Sequence, residues 1–149
     1  MTKKINIKLK DDKSVVPARA TAGAAGFDVY ARVEETVYVS PGETKLINLG
    51  FSLEVPENMM LMLTPRSGAG AKKGMVLGNL VGVIDSDYRD GVMAAIWNRN
   101  FDGEPLVIND GDRIAQGVFV PVFTDFEFNK VDELSVTDRL GGFGSTDTK

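Results

Sequence analysis

A chain of 149 residues, 43% hydrophobic and 26% charged, suits one globular domain that buries roughly 68–70% of its unfolded surface. Its net charge of -4 supplies no global field for nucleic acid or an anionic membrane, so an anionic ligand needs a local site. There is no Cys and no His, which excludes thiolate zinc sites, disulfides, cysteine nucleophiles, the Ser-His-Asp arrangement and the commonest general base. A base must be Asp, Glu, Lys or Tyr, with a carboxylate the first choice.

The N-terminus, M-T-K-K-I-N-I-K-L-K, alternates apolar and basic residues and lacks the continuous apolar stretch of a signal peptide. Nowhere does an apolar run approach the ~20 residues of a membrane span, and a soluble, cytoplasmic protein is expected. Ile5, Ile7 and Leu9 form the first alternating set, and Val37 and Val39 flank Tyr38 in the next. Further strands are expected within 46–49, 50–55, 59–63, 75–84, 92–97, 106–108 and 114–123. Ser40-Pro41-Gly42, Pro56-Glu57-Asn58, Asp102-Gly103 and Asn109-Asp110-Gly111 are turn signals between them. Many short strands separated by turns argue an all-β sandwich, jelly roll or barrel. Helical signals are scarce: Ser67 is a candidate cap for a short helix through 69–73, and a weak turn is expected over 131–134. There is no linker and no repeat. Residues 1–140 read as one domain, and 141–149 as a tail with Phe143 as its one apolar anchor.

Several stretches carry possible chemistry, each with a plainer structural reading beside it. In Thr64-Pro65-Arg66-Ser67-Gly68 a fixed cation, a hydroxyl and unhindered amides suit a phosphate, but also an ordinary strand-to-helix turn. Gly141-Gly142-Phe143-Gly144-Ser145-Thr146, with Arg139 upstream, suits either a lid that orders on a polyanion or a tail without a role. Gln116 interrupts an apolar strand, sharing a face with Ile114, Val118 and Val120, and is a structural amide or a ligand contact. Arg113 at that strand's entry reads as half of a structural ion pair. A strand from Asn79 would put Asn79, Val81, Val83 and Asp85 on one face, and a following strand over 92–96 would close a hairpin near Asp85. Gly78 and Gly82 would leave room for a backbone or planar ligand, and Tyr88 a ring to cover it. A solvated acidic turn is the plain alternative.

Singly these motifs are weak, but their order is specific. A-G-F-D (25–28), P-R-S-G (65–68), G-N-L-V-G-V-I-D-S-D-Y-R (78–89), G-D-R-I-A-Q (111–116) and G-G-F-G-S-T (141–146) resemble the five ordered motifs of the homotrimeric dUTP pyrophosphatase (dUTPase) family. The resemblance implies an all-β jelly roll (β-clip-like) with one short helix, assembled as a homotrimer with sites at subunit interfaces. It implies Asp85 as the carboxylate that activates the water attacking the α-phosphorus of dUTP, yielding dUMP and pyrophosphate. Asn79, Val83, Ile84 and Met93 match the uracil-holding hairpin, and Tyr88 the aromatic against the deoxyribose. Arg66, Ser67, Gly68 and Gln116 match the phosphate contacts. Arg139, Phe143, Gly144, Ser145 and Thr146 match the closing tail. The implied cofactor is Mg²⁺, with Asp28 either touching it through water only or holding the site's architecture. No nucleic-acid or membrane partner is expected. The chain departs from the family pattern in having only Leu140 between Arg139 and Gly-Gly-Phe, and Asp147 where a Gly is usual.

The chemistry of such a site follows from elementary limits. A soft apolar pocket resolves the single methyl between uracil and thymine by only ~1–3 kcal/mol, whereas a rigid backbone pressed against that carbon excludes it sterically. Cytosine would leave buried polar groups mispaired. A dCTP deaminase, or bifunctional deaminase-dUTPase, shares the fold and is the alternative enzyme; D-S-D-Y with its tyrosine favours the pyrophosphatase. A non-catalytic dUTP-binding regulatory trimer is the alternative of another class, and the intact Asp85 argues against it.

Overall fold

The computed structural model describes residues 4–138. The elements are β1 (Ile7–Leu9), β2 (Phe27–Tyr30), β3 (Val37–Val39), β4 (Thr44–Asn48), β5 (Phe51–Leu53), β6 (Met59–Thr64), α1 (Ser67–Lys73), β7 (Met75–Leu77), β8 (Gly82–Ile84), β9 (Met93–Asn98), β10 (Leu106–Ile108) and β11 (Arg113–Pro121). A four-stranded sheet, β2-β11-β6-β8, and a three-stranded sheet, β4-β9-β7, share the core with the two-stranded pairs β1-β5 and β10-β3. Every strand pair is antiparallel, and the architecture is the expected all-β jelly roll. The tail motif at 141–149, including Phe143, Gly144, Ser145 and Thr146, lies outside the described residues, as does Arg139.

Period-two alternation builds the core. Leu61 and Leu63 of β6, Ile47 of β4, and Ala94 and Ile96 of β9 point inward and are buried, while Leu46 and Met93 point out. The turns carry residues able to take the left-handed backbone: Gly42, Asn58 and Gly111 all have positive φ where the sequence signals turns. Asn98, fully buried, is satisfied: its Nδ2 donates to the Val39 carbonyl (3.0 Å) and its Oδ1 accepts from the Asn100 amide (3.1 Å), tying β9 to β3. Arg32 is 5% exposed and donates to both oxygens of Asp11 (2.9 Å each) and to the Val33 carbonyl, with Glu34 and Asp110 alongside. That cluster clamps the N-terminal segment and the β10–β11 turn onto the end of β2.

Several expectations need correction. The apolar run over 75–84 is two strands in two different sheets, because Leu80 takes φ 63° and the chain turns there. β8 pairs with β6 and β9 with β4 and β7, so no β8–β9 hairpin closes at Asp85. The space expected beside Gly78 and Gly82 is filled from within: a Cβ at Gly78 would meet Thr44 at 2.8 Å, and one at Gly82 would meet Leu63 at 3.0 Å. Ser67 opens α1 rather than capping it; Arg66 holds the cap position and makes no side-chain cap bond. Residues 131–134 form only a bend. A register shift between Arg113 and Ala115 buries both Ile114 and Ala115, so Gln116 does not share the row of Ile114. β2, with an aspartate at its second position, is a strand that the alternation does not signal.

Candidate active site

The side chains that the motifs single out fall into two separate groups. The first lines a cleft of about 580 Å³ between α1 and the β10–β11 corner. At its centre Asp28, on β2, divides its carboxylate between two guanidinium groups. Arg66 donates from Nε to Oδ1 (2.8 Å), and Arg113 from Nη1 to Oδ2 (3.3 Å). Arg66 thereby keeps its terminal nitrogens for the cleft, with its orientation locked from behind. The pairing arises because β2 and β6 both flank β11: Asp28 faces Gln116, and Gln116 faces Thr64, two residues before Arg66.

Around this ion pair the cleft is open to an anion. Nothing lies within 4 Å of a Cβ built on Gly68, so a ligand can approach that backbone closely. Helical bonding in α1 begins with the Gly70 amide donating to the Arg66 carbonyl (2.9 Å), which leaves the amides of Ser67 and Gly68 outside the helical ladder. Gln116 donates from Nε2 to the Pro65 carbonyl (3.0 Å), pinning the strand exit while its side chain lines the cleft. Arg66, Ser67, Gly68, Gln116 and Asp28 are therefore one cluster. Lys72, Lys73 and Arg113 also line it; motif spacing marks the lysines only as helix residues and Arg113 only as an ion-pair partner.

The second group surrounds Asp85, which is exposed at the end of β8. The turn from Asp85 returns through a Tyr88 amide donating to the Asp85 carbonyl (3.3 Å). Tyr88 Oη donates to the Gly91 carbonyl (3.1 Å), and Arg89 Nη1 donates to the carbonyls of Ser86 (2.7 Å) and Tyr88 (3.0 Å). Arg89 thus holds the loop, a role that spacing alone does not suggest. Val83, Tyr88 and Met93 are 55%, 38% and 41% exposed, and Asn79 is exposed in the turn before β8. These apolar side chains beside a free carboxylate form an open surface, while Ile84 turns partly inward.

The two groups do not meet within the chain. None of the second group lines the cleft. Ile84 faces Leu61 while Gln116 faces Thr64, so Asp85 stands one register step beyond Leu61 and two strands from Gln116. At about 3.4 Å per residue and 4.8 Å between strands, that is roughly 17 Å. Among the described residues no group of three Asp, Glu, His or Cys side chains could hold a metal ion.

A family profile for dUTPase matches residues 12–147. The chain belongs to the dUTPase family. It is 49% identical to the deoxyuridine 5'-triphosphate nucleotidohydrolase of Histophilus somni (strain 2336), an alignment covering 99% of each. It superposes on a Staphylococcus bacteriophage 80alpha dUTPase with dUPNHPP at a TM-score of 0.82 and 29% identity, over 97% of this chain and 98% of that one. A mutant dUTPase from phage phi11 of S. aureus, described for its coordination of a structural Mg(II) ion, superposes at 0.78 and 26% identity, over 90% and 100%.

Proposed function

We propose that the protein hydrolyses dUTP to dUMP and pyrophosphate, as a homotrimer whose sites form where the cleft of one subunit faces the Asp85 loop of the next. The observation that carries this reading is the pair of intact half-sites: a locked arginine beside open amides, and an exposed carboxylate among exposed apolar side chains. The apolar side chains of the segment after β11, Phe123, Phe128 and Val136 among them, are likewise exposed and give an assembly surface to cover.

Asp85 takes a proton from a water as the water oxygen bonds to the α-phosphorus. The bond from that phosphorus to its α–β bridging oxygen breaks, and the electron pair leaves with pyrophosphate. Arg66, Ser67, Gly68 and Gln116 hold the phosphates in line, since phosphoryl transfer depends mainly on positioning and charge neutralisation. Asn79, Val83, Ile84 and Met93 border uracil, and Tyr88 lies on the deoxyribose where a 2′-hydroxyl would clash. The tail residues Arg139, Phe143, Gly144, Ser145 and Thr146 close over the nucleotide.

Mg²⁺ suits this donor set as a companion of the substrate phosphates, keeping most of its waters, since both oxygens of Asp28 are occupied by guanidinium groups. When bound it supplies neutralisation of phosphate charge. Of the two roles open to Asp28, the ion pairs favour holding the architecture.

The test is pyrophosphate release with Mg²⁺ across dUTP, dTTP, dCTP and UTP. Release from dUTP alone is expected, and Asp85→Asn should bind dUTP while turning over about 10²- to 10⁴-fold more slowly. Ammonia release from dCTP, or near-normal turnover by the Asn variant, would refute the reading.

A further inference from the structure

The cleft carries more positive charge than the phosphate contacts use. Arg66, Lys72, Lys73 and Arg113 line it against two carboxylates, Asp28 and Asp112, in a chain whose net charge is -4. Asp28 is consumed by the two arginines, and Asp112 accepts from the Asn109 amide (2.8 Å) within its own turn. Among the described residues neither Lys72 nor Lys73 has a carboxylate within 4.0 Å. They stand five and six residues along α1 from Ser67, roughly 8 Å of helical rise at 1.5 Å per residue, further into the cleft than the Arg66–Gly68 cradle.

That end of α1 is also held firmly. The Gly74 amide donates to the Ala69 carbonyl, Arg99 Nη2 donates to the Gly70 carbonyl (3.0 Å), and Asn100 Nδ2 donates to the Lys73 carbonyl (2.9 Å). The carbonyls of Ala69, Gly70 and Lys73 thereby each accept a bond, and the backbone bearing both lysines is anchored to the end of β9. Across the cleft stand Val107, Asp112 and Arg113.

We propose that Lys72 and Lys73, with Arg113 opposite, form a second anion subsite for a condensed inorganic phosphate, and that it receives pyrophosphate as it leaves the cradle. The subsite rests on the cleft being the triphosphate half-site, and extends it past the terminal phosphate. Lysine suits it: a flexible point charge can follow an anion that moves, where a forked arginine fixes one pose. The cost is that free pyrophosphate competes for the cleft.

Calorimetric titration of the full chain with sodium pyrophosphate, without nucleotide, tests this. Lys72→Ala/Lys73→Ala should weaken binding about tenfold, and Lys72→Arg/Lys73→Arg should largely restore it. Lys4→Ala/Lys8→Ala removes the same charge from exposed positions on the N-terminal segment and should leave binding within about twofold. Equal loss in that control, or wild-type affinity in the Lys72/Lys73 alanine variant, would overturn the proposal. If the wild type binds pyrophosphate through these lysines yet releases none from dUTP, the subsite stands and the dUTP reading falls.

Discussion

Asp28 and Asp11 are both aspartates paired with arginine, yet they do different work. Asp28 sits behind Arg66 and orients it, touching no reacting atom in the proposed mechanism. Asp28→Asn keeps the shape but removes the charge that holds two guanidinium groups, so Arg66 is freed to swing. A misplacement of about 1 Å can cost on the order of 100-fold, and kcat/KM for dUTP should fall by about that much. Melting temperature should move little, because the pair is part-exposed. A kinetic comparison with a thermal melt separates the two effects. Asp11 instead serves stability. Hydrogen bonds from Arg32 dominate over burial and, with the Ser14 hydroxyl and the Lys13 amide, hold its carboxyl well below the ordinary 3.8. A depressed folded-state value means the ionised form is what stabilises. The contribution is full above the unfolded value and is lost as pH falls below it towards the folded one. Asp11→Asn should therefore melt lower than wild type near pH 7, with the gap narrowing below about pH 4. A gap constant from pH 7 to pH 2 would disprove the linkage.

At the scale of elements, β11 is the organising strand. It faces Asp28 on β2 and Thr64 on β6 through one residue, Gln116, and so brings three distant motifs to one cleft. Next to Gln116, Gly117 is closely covered: a Cβ there would lie 2.7 Å from the Phe27 ring and 2.9 Å from Leu61. Phe27 is held in turn against Phe119, with ring centroids 5.6 Å apart. Gly117→Ala must push that ring aside, and overpacking of this kind costs about 1–3 kcal/mol. For a chain of this length each kcal/mol lowers Tm by roughly 2–4 °C. Phe27 adjoins Asp28, so activity should fall with stability; unchanged Tm would show that the ring yields freely. The same strand explains what was legible in the residues. Alternation located β1, β3, β4, β5, β6, β9, β10 and β11, since each has one apolar face. It missed β2, where four residues include an aspartate paired with two arginines, and fused β7 to β8, because the turn at Leu80 is made by an apolar residue in the left-handed region rather than by glycine. Motif order pointed to Arg66, Gln116 and Asp85, while Arg89 and the Arg32 cluster depend on partners that no spacing rule joins.

The whole molecule poses a geometric problem that a single subunit does not solve. The proposed base and the proposed phosphate contacts lie roughly 17 Å apart on one sheet, too far to serve one α-phosphorus. The proposed closed rotational assembly would solve it, because each subunit then presents its cleft to one neighbour and its Asp85 loop to another. The consequence can be measured with two variants that are each inactive. Asp85→Asn lacks the base and keeps the cradle, whereas Arg66→Ala lacks the cradle's cation and keeps the base. In trimers reassembled from equal amounts of the two, a site works when an Arg66→Ala subunit supplies Asp85 and an Asp85→Asn subunit supplies Arg66. Random mixing makes that combination at about a quarter of sites. Pyrophosphate release should accordingly recover to about a quarter of wild type after joint unfolding and refolding, and stay near zero when the two are mixed without subunit exchange. If base and cradle served the same site within one subunit, refolding together would restore nothing.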